Sequence, residues 1–231
     1  MHIKICGITQ PEQGRAIAQL GAHALGFICV RQSPRYVSAM QIRHIVDHLL
    51  TNEFGQPNVD RVGVFVNAAV DEIADVVAIA NLNVVQLHGE ESPTFCQQVR
   101  DRLPHIHLIK AFRIRSAETL ASTALYASVV DRFLLDAYHP HHHGGTGQTL
   151  DWQTLREFRS PVPWLLAGGL TPDNVAIALE LTQPHGIDLS SGVEHSPGNK
   201  DLQKVAQLFE QLHQPTPAQN QPHYSQLPSS T

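Results

Sequence analysis

The sequence predicts an α/β fold in which eight parallel strands close into one barrel, a (β/α)8 barrel of the TIM type with its helices outside. Three observations lead there. Short runs rich in β-branched and apolar residues recur along the chain, each followed by a loop and a stretch of helical periodicity, which is the pattern of βα units on a parallel sheet. Eight such units can be counted, enough to close a barrel, whereas an open doubly wound sheet normally uses fewer strands. The 231 residues suffice for one sizeable core, and barrels reach this length without splitting into two domains. Periodicity alone does not separate barrel from open sheet; the number of units favours the barrel.

The first unit has a strand over 3–6 and a helix over 11–20, with Thr9 before Pro11 as a start signal. The second has a strand over 24–30 and, after Ser38, a helix over 39–50. Strands over 62–66 and 84–87 lead to helices over 70–80 and 94–102, and further strands are expected over 108–112 and 133–136. The seventh strand, 164–167, precedes a helix over 174–182 announced by Thr171-Pro172, and the eighth strand spans 187–189. These units form one barrel domain over 1–213. Residues 214–231 are Pro-, Gln- and Ser-rich, carry no charged side chain and offer little to bury, so a flexible tail is expected.

Composition narrows the function. Hydrophobic residues make up 42% and charged residues 16%, as in an ordinary soluble globule. Lys and Arg total 16 against 21 Asp and Glu, a net charge of -5 without a basic block, which argues against extended contacts with nucleic acid. A small anion remains compatible, because backbone dipoles and one or two arginines can hold it. Cys6, Cys29 and Cys96 are odd in number and lack CxxC spacing, so a reducing cytoplasm fits better than a disulfide framework or a thiolate zinc site. The first residues contain no apolar signal core and no apolar run reaches membrane-spanning length, so no membrane association is expected.

In a βα barrel the loops after the strands open on one face, so polar residues at strand C-terminal ends converge there. Cys6 ends the first strand, Asp136 the sixth, Gln86 and His88 the fourth, and Asn67 follows the third. A thiol and a carboxyl at one mouth suit a general base and a general acid. Each also has a plainer reading: buried cysteine is common as a small hydrophobe, Asp136 can cap its loop, and His88 reads better as a loop cap. Cys29 and Cys96 read as packing residues. Glycine turns follow three strands, at Gly144-Gly145-Thr146-Gly147, Gly168-Gly169-Leu170 and Ser190-Ser191-Gly192-Val193. Turns after strands seven and eight are where barrels build phosphate sites, since glycine lets N–H groups approach an anion closely. Arg35, behind Pro34 in the second loop, has a guanidinium fork suited to a substrate carboxylate. The run of His139, His141, His142 and His143 lacks a neighbouring carboxylate or cysteine at ligand spacing, and reads as adventitious metal binding and not as a catalytic metal site.

Taken in order, Lys4-Ile5-Cys6-Gly7-Ile8-Thr9, Gly26-Phe27, Ser33-Pro34-Arg35-Tyr36-Val37-Ser38, Val62-Gly63-Val64-Phe65-Val66-Asn67, Val85-Gln86-Leu87-His88-Gly89, Leu135-Asp136, Ala167-Gly168-Gly169-Leu170 and Asp188-Leu189-Ser190-Ser191-Gly192-Val193-Glu194 resemble the phosphoribosylanthranilate isomerases of tryptophan biosynthesis. The Gly144-Gly145-Thr146-Gly147 turn and Asp151-Trp152 belong to the same pattern. The resemblance implies a cofactor-free Amadori rearrangement of a phosphorylated aminoribose; the sequence itself fits a monomer or a homodimer. Asp136 would be the acid, Cys6 the base, and Arg35 the group that binds the anthranilate carboxylate. The turns at Gly168-Gly169 and Ser191-Gly192 would bind the substrate phosphate, and Gly145 is a further candidate for binding the substrate. Such a pair is expected to lower the thiol's pKa by cations and dipoles and to raise the carboxyl's by apolar walls. The histidine-rich loop, the tail and Leu150, where the family often has phenylalanine, depart from the pattern. Other phosphate-binding barrels, expected to use Lys and Glu or paired Asp, and a non-catalytic phosphosugar-binding barrel are the rival readings.

Overall fold

A computed structural model describes residues 1–51, 58–136 and 152–213. Eight parallel strands form a closed barrel in sequence order: β1 (His2–Cys6), β2 (Ala24–Ile28), β3 (Asp60–Phe65), β4 (Val84–Leu87), β5 (His107–Arg113), β6 (Arg132–Asp136), β7 (Trp164–Ala167) and β8 (Gly186–Leu189), with β8 pairing back to β1. The helices are α1 (Pro11–Gln19), α2 (Ala39–Asp47), α3 (Val70–Ala80), α4 (Pro93–Arg102), α5 (Ala117–Ser122), α6 (Trp152–Arg156), α7 (Val175–Thr182) and α8 (Leu202–His213). A short antiparallel hairpin, β9 (Glu194–Ser196) and β10 (Asn199–Lys200), follows β8.

Two apolar layers hold the barrel. Ile3, Ile5, Leu25, Phe27, Val85, Leu87, Phe133, Leu135, Leu166, Ile187 and Leu189 face outward into one core shared with the helices. Their alternate neighbours Ala24, Val62, Val84, Ile109, Ala111, Leu134, Leu165 and Ala167 form a second cluster, the barrel's interior filling. Successive side chains on a strand point to opposite faces, so this alternation fixes which residues project into the barrel. It places Lys4 and Cys6, Gln86, Asp136 and Asp188 on the inward side.

The helix and strand ends differ from expectation in instructive places. The second strand stops at Ile28 instead of residue 30, because Tyr36 returns to bridge Ile28 and Val30 is already in a turn closed by Ser33 N–H. The second helix ends at Asp47 instead of residue 50. His48 Nδ1 lies 2.7 Å from the His44 carbonyl oxygen, and the next amides make tighter bonds to Ile45 and Val46. Ser38 does cap α2 in a reciprocal box with Gln41. Thr9 does not cap α1; its hydroxyl donates to the Gly198 carbonyl and ties the first loop to the β9–β10 hairpin. Asn174 lies just outside α7, where its side chain accepts from Thr171 N–H at 2.8 Å and donates to the Gly169 carbonyl at 2.9 Å. That brace holds the glycine turn after β7. The 214–231 segment lies outside the described residues.

Candidate active site

The inward-facing strand ends and the loops beyond them enclose a cavity of about 350 Å³ at the C-terminal mouth. Cys6, Arg35, Asp136, Gly168, Gly169, Ser191 and Gly192 all line it, so seven of the eight residues singled out from sequence meet in one place. Gly145, like the histidines at 139 and 141–143, lies outside the described residues. Among the described residues no cluster of three potential metal ligands forms, and no helix is long and apolar enough to cross a membrane.

The glycine turns are built for close approach. Gly168 and Gly169 have φ of 97° and 66°, the left-handed region that a β-carbon disfavours. At Gly192 a β-carbon would overlap the Leu170 carbonyl oxygen, so the turns after β7 and β8 are packed backbone against backbone. Such turns leave room for an anion to reach N–H groups.

Cys6 sits at the floor of the cavity with only 6% of its surface exposed. Its neighbour in register on β2 is Gly26, where a β-carbon would stand 2.6 Å from Cys6 Sγ, so glycine is what leaves space for the thiol. One residue pair down the barrel, Lys4 and Asp188 are also register partners, and Lys4 Nζ donates to Asp188 Oδ2 at 2.8 Å. Burial pushes the Cys6 thiol up; Lys4 pulls it down, Asp188 pushes it up and Lys200 pulls it down, with a net rise. The expectation of a lowered thiol pKa is therefore corrected. The cations are present, but loss of water outweighs them.

Asp136 ends β6 with its side chain partly open to the cavity, and His88 Nε2 lies 3.8 Å from its Oδ2. His88 also lines the cavity and meets Gln86 Nε2 through Nδ1 at 3.0 Å, so it belongs to the site and is more than a loop cap. Asn67, placed at the mouth by the sequence, ties loops together instead: its Oδ1 accepts from Glu90 N–H and its own N–H donates to Glu91, binding the third and fourth loops. Cys96 is fully buried in the helix-side core and Cys29 packs against it.

Arg35 reaches the cavity but is not a free fork. Its Nε and Nη2 donate to Glu194, at 3.0 Å and 3.1 Å from Nε and 2.6 Å from Nη2. Lys200 Nζ donates to the same carboxylate at 2.8 Å and to the Ser190 carbonyl at 3.2 Å. Burial raises the Glu194 carboxyl, but the hydrogen bonds from Arg35 and Lys200 prevail and hold it below its usual range. Sequence reasoning singled out none of Lys4, Asp188, Glu194 and Lys200 as site residues. For Lys4 and Asp188 a signal existed: each is charged within an apolar strand, and Lys4 is two residues from Cys6, hence on the same face.

A closed parallel barrel with a polar, glycine-rimmed cavity at its C-terminal mouth defines an enzyme-type (β/α)8 barrel. The sequence profile of the family described as N-(5'phosphoribosyl)anthranilate (PRA) isomerase matches residues 3–211, and the chain belongs to that family. It is 60% identical to N-(5'-phosphoribosyl)anthranilate isomerase of Gloeothece citriformis over 213 residues, covering 92% of this chain and 94% of that one. Among solved structures it resembles phosphoribosyl anthranilate isomerase of Thermotoga maritima, with a TM-score of 0.79, 36% identity and coverage of 91% and 98% of the two chains. It also resembles a phosphoribosyl anthranilate isomerase in complex with reduced 1-(o-carboxyphenylamino)-1-deoxyribulose 5-phosphate, with a TM-score of 0.78, 34% identity and coverage of 91% and 97%.

Proposed function

We propose that this chain catalyses the Amadori rearrangement of N-(5-phosphoribosyl)anthranilate to 1-(2-carboxyphenylamino)-1-deoxyribulose 5-phosphate, a step of tryptophan biosynthesis in the cytoplasm. The observation that carries this reading is the convergence of Cys6 and Asp136 on one cavity beside the turns at Gly168, Gly169, Ser191 and Gly192. The family supplies the substrate, and the cavity supplies residues for each step.

Asp136 donates a proton to the furanose ring oxygen; the ring C–O bond breaks and the anilino nitrogen lone pair forms an iminium at C1. Cys6, as thiolate, then removes the proton from C2, and the electron pair moves to give an enolamine. Tautomerisation moves the enol proton to C1 and leaves the ketone. A general base and acid placed in this way contribute about a hundred- to ten-thousand-fold each. The raised thiol pKa makes the thiolate scarce at neutral pH, and the Lys4 and Lys200 ammonium groups are what favours it.

The phosphate fits the glycine turns, where N–H groups and the absence of β-carbons allow close approach. Arg35 binds the anthranilate carboxylate through the guanidinium edge not given to Glu194, where Nη1 and the second Nη2 N–H still offer two parallel donors. The barrel over 1–213 carries the activity, and 214–231 is an appendage to it. A turnover assay with anthranilate-aminoribosyl phosphate tests this directly: fluorescence of the anilino substrate should fall in the presence of the protein alone. No turnover would favour a barrel that binds phosphosugars without converting them.

A further inference from the structure

Two acceptors at the floor of the cavity have nothing to accept from. Gln86 is 1% exposed and Asp188 9% exposed, and both line the cavity. Gln86 Oε1 and Asp188 Oδ1 are buried with no hydrogen-bond partner among the described residues, although the other end of each side chain is engaged, by His88 and Lys4. A buried polar atom without a partner is costly, so an inward strand residue that keeps one at the floor of an open cavity is matched to a ligand that supplies it.

We propose that Gln86 and Asp188 recognise the two ring hydroxyls of the sugar, Asp188 taking the 2-hydroxyl and Gln86 the 3-hydroxyl. The assignment rests on the isomerase reading and follows the order of atoms along the pentose. Asp188 is the register partner of Lys4, which shares the inward face of β1 with Cys6, the residue that takes the proton from C2. Asp188 and Cys6 both line the cavity, so the free oxygen of Asp188 belongs beside the C2 hydroxyl. Gln86 is joined to His88, which stands by Asp136, the residue that serves the ring oxygen on C4. C3 lies between those carbons. The chemistry of the two side chains selects a hydroxyl over other groups. Asp188 Oδ1 repels phosphate and carboxylate, and accepts from a donor. The Gln86 amide, set either way round, leaves one end unmatched, and a hydroxyl can donate to its oxygen or accept from its nitrogen. The phosphate and carboxylate are thereby excluded from the floor and kept at the rim, which orients the substrate end to end.

The test compares the ribosyl substrate with its 3-deoxyribosyl counterpart, which keeps the 2-hydroxyl that the rearrangement consumes. Wild-type kcat/KM should favour the ribosyl compound by about 10- to 100-fold, the cost of leaving one buried acceptor unmet. In Gln86→Met the ratio should shrink to within about threefold of one, chiefly because the ribosyl value falls. Circular dichroism checks that the variant folds. Gln86→Asn, which withdraws the amide by one methylene, should show the same loss of selectivity and replaces it if it does not. An unchanged ratio in the folded variant, or no preference in the wild type, overturns the assignment while leaving the isomerase reading intact. Wild-type protein that fails to turn over the ribosyl substrate overturns that reading, and the assignment falls with it.

Discussion

Lys4 Nζ lies 2.8 Å from Asp188 Oδ2, between neighbouring strands whose register sets the two residues side by side inside the barrel. Lys4 is fully buried and Asp188 only 9% exposed, so each charge depends mainly on the other. Removing one partner leaves the other as an uncompensated buried charge, which costs about 3–5 kcal/mol. Lys4→Met should therefore lower stability by about that amount in urea denaturation. Replacing both residues by apolar groups of similar volume should recover much of the loss.

The same ammonium group governs the pH profile. Burial raises the Cys6 thiol above its ordinary range, against the pull of Lys4 and Lys200. The active thiolate then accumulates only on the alkaline side, so kcat/KM should still be rising as pH passes from 7 to about 8.5, the ordinary thiol value. A profile measured across that interval checks this. In Lys4→Met the rise should move to higher pH, because the cation that pulls the thiol down most strongly is gone.

Much of this is legible in the sequence. The eight units, the barrel, and the meeting of Cys6, Asp136 and the turns after β7 and β8 follow from periodicity together with the rule that strand C-terminal ends share one mouth. Less legible was what each group does once buried. Arg35 looks like a free fork in the sequence, and its partner Glu194 is far away in the chain, on a hairpin whose strands of three and two residues leave little periodic trace. The thiol's direction of shift is hidden too, because it depends on how far burial in the folded barrel outweighs the charges of Lys4 and Lys200. His88 reads as a loop cap until the inward alternation of β4 carries it toward Asp136.

Gly26 is a space-keeping residue whose loss should separate activity from stability. An added β-carbon would stand 2.6 Å from Cys6 Sγ and 3.0 Å from Cys6 Cα. The backbone atom cannot swing aside as a side chain can, so the strand pair must shift. Gly26→Ala should cost about 1–3 kcal/mol in thermal or chemical unfolding. Its kcat should fall well beyond what the unfolded fraction explains, since the displaced atom is the base itself.

Glu194 should matter on the acid side. Its carboxyl is held below its usual range by Arg35 and Lys200 in spite of burial. A depressed folded pKa gives stability that is present above the unfolded value of about 4.3 and is lost as pH falls through the lower folded value. Glu194→Gln should lower neutral-pH stability by about 3–5 kcal/mol, because Lys200 is left buried without its charge partner. It should also flatten the acid limb of a stability-versus-pH curve. KM should rise, since Arg35 loses the carboxylate that steadies it at the cavity edge.

The central claim is that Cys6 and Asp136 exchange protons with the substrate from one cavity. The most direct test is kcat for Cys6→Ser and Asp136→Asn, each checked for retained fold by circular dichroism. The account predicts losses of about a hundred- to ten-thousand-fold in both. A folded variant of either kind that keeps near wild-type kcat would contradict it.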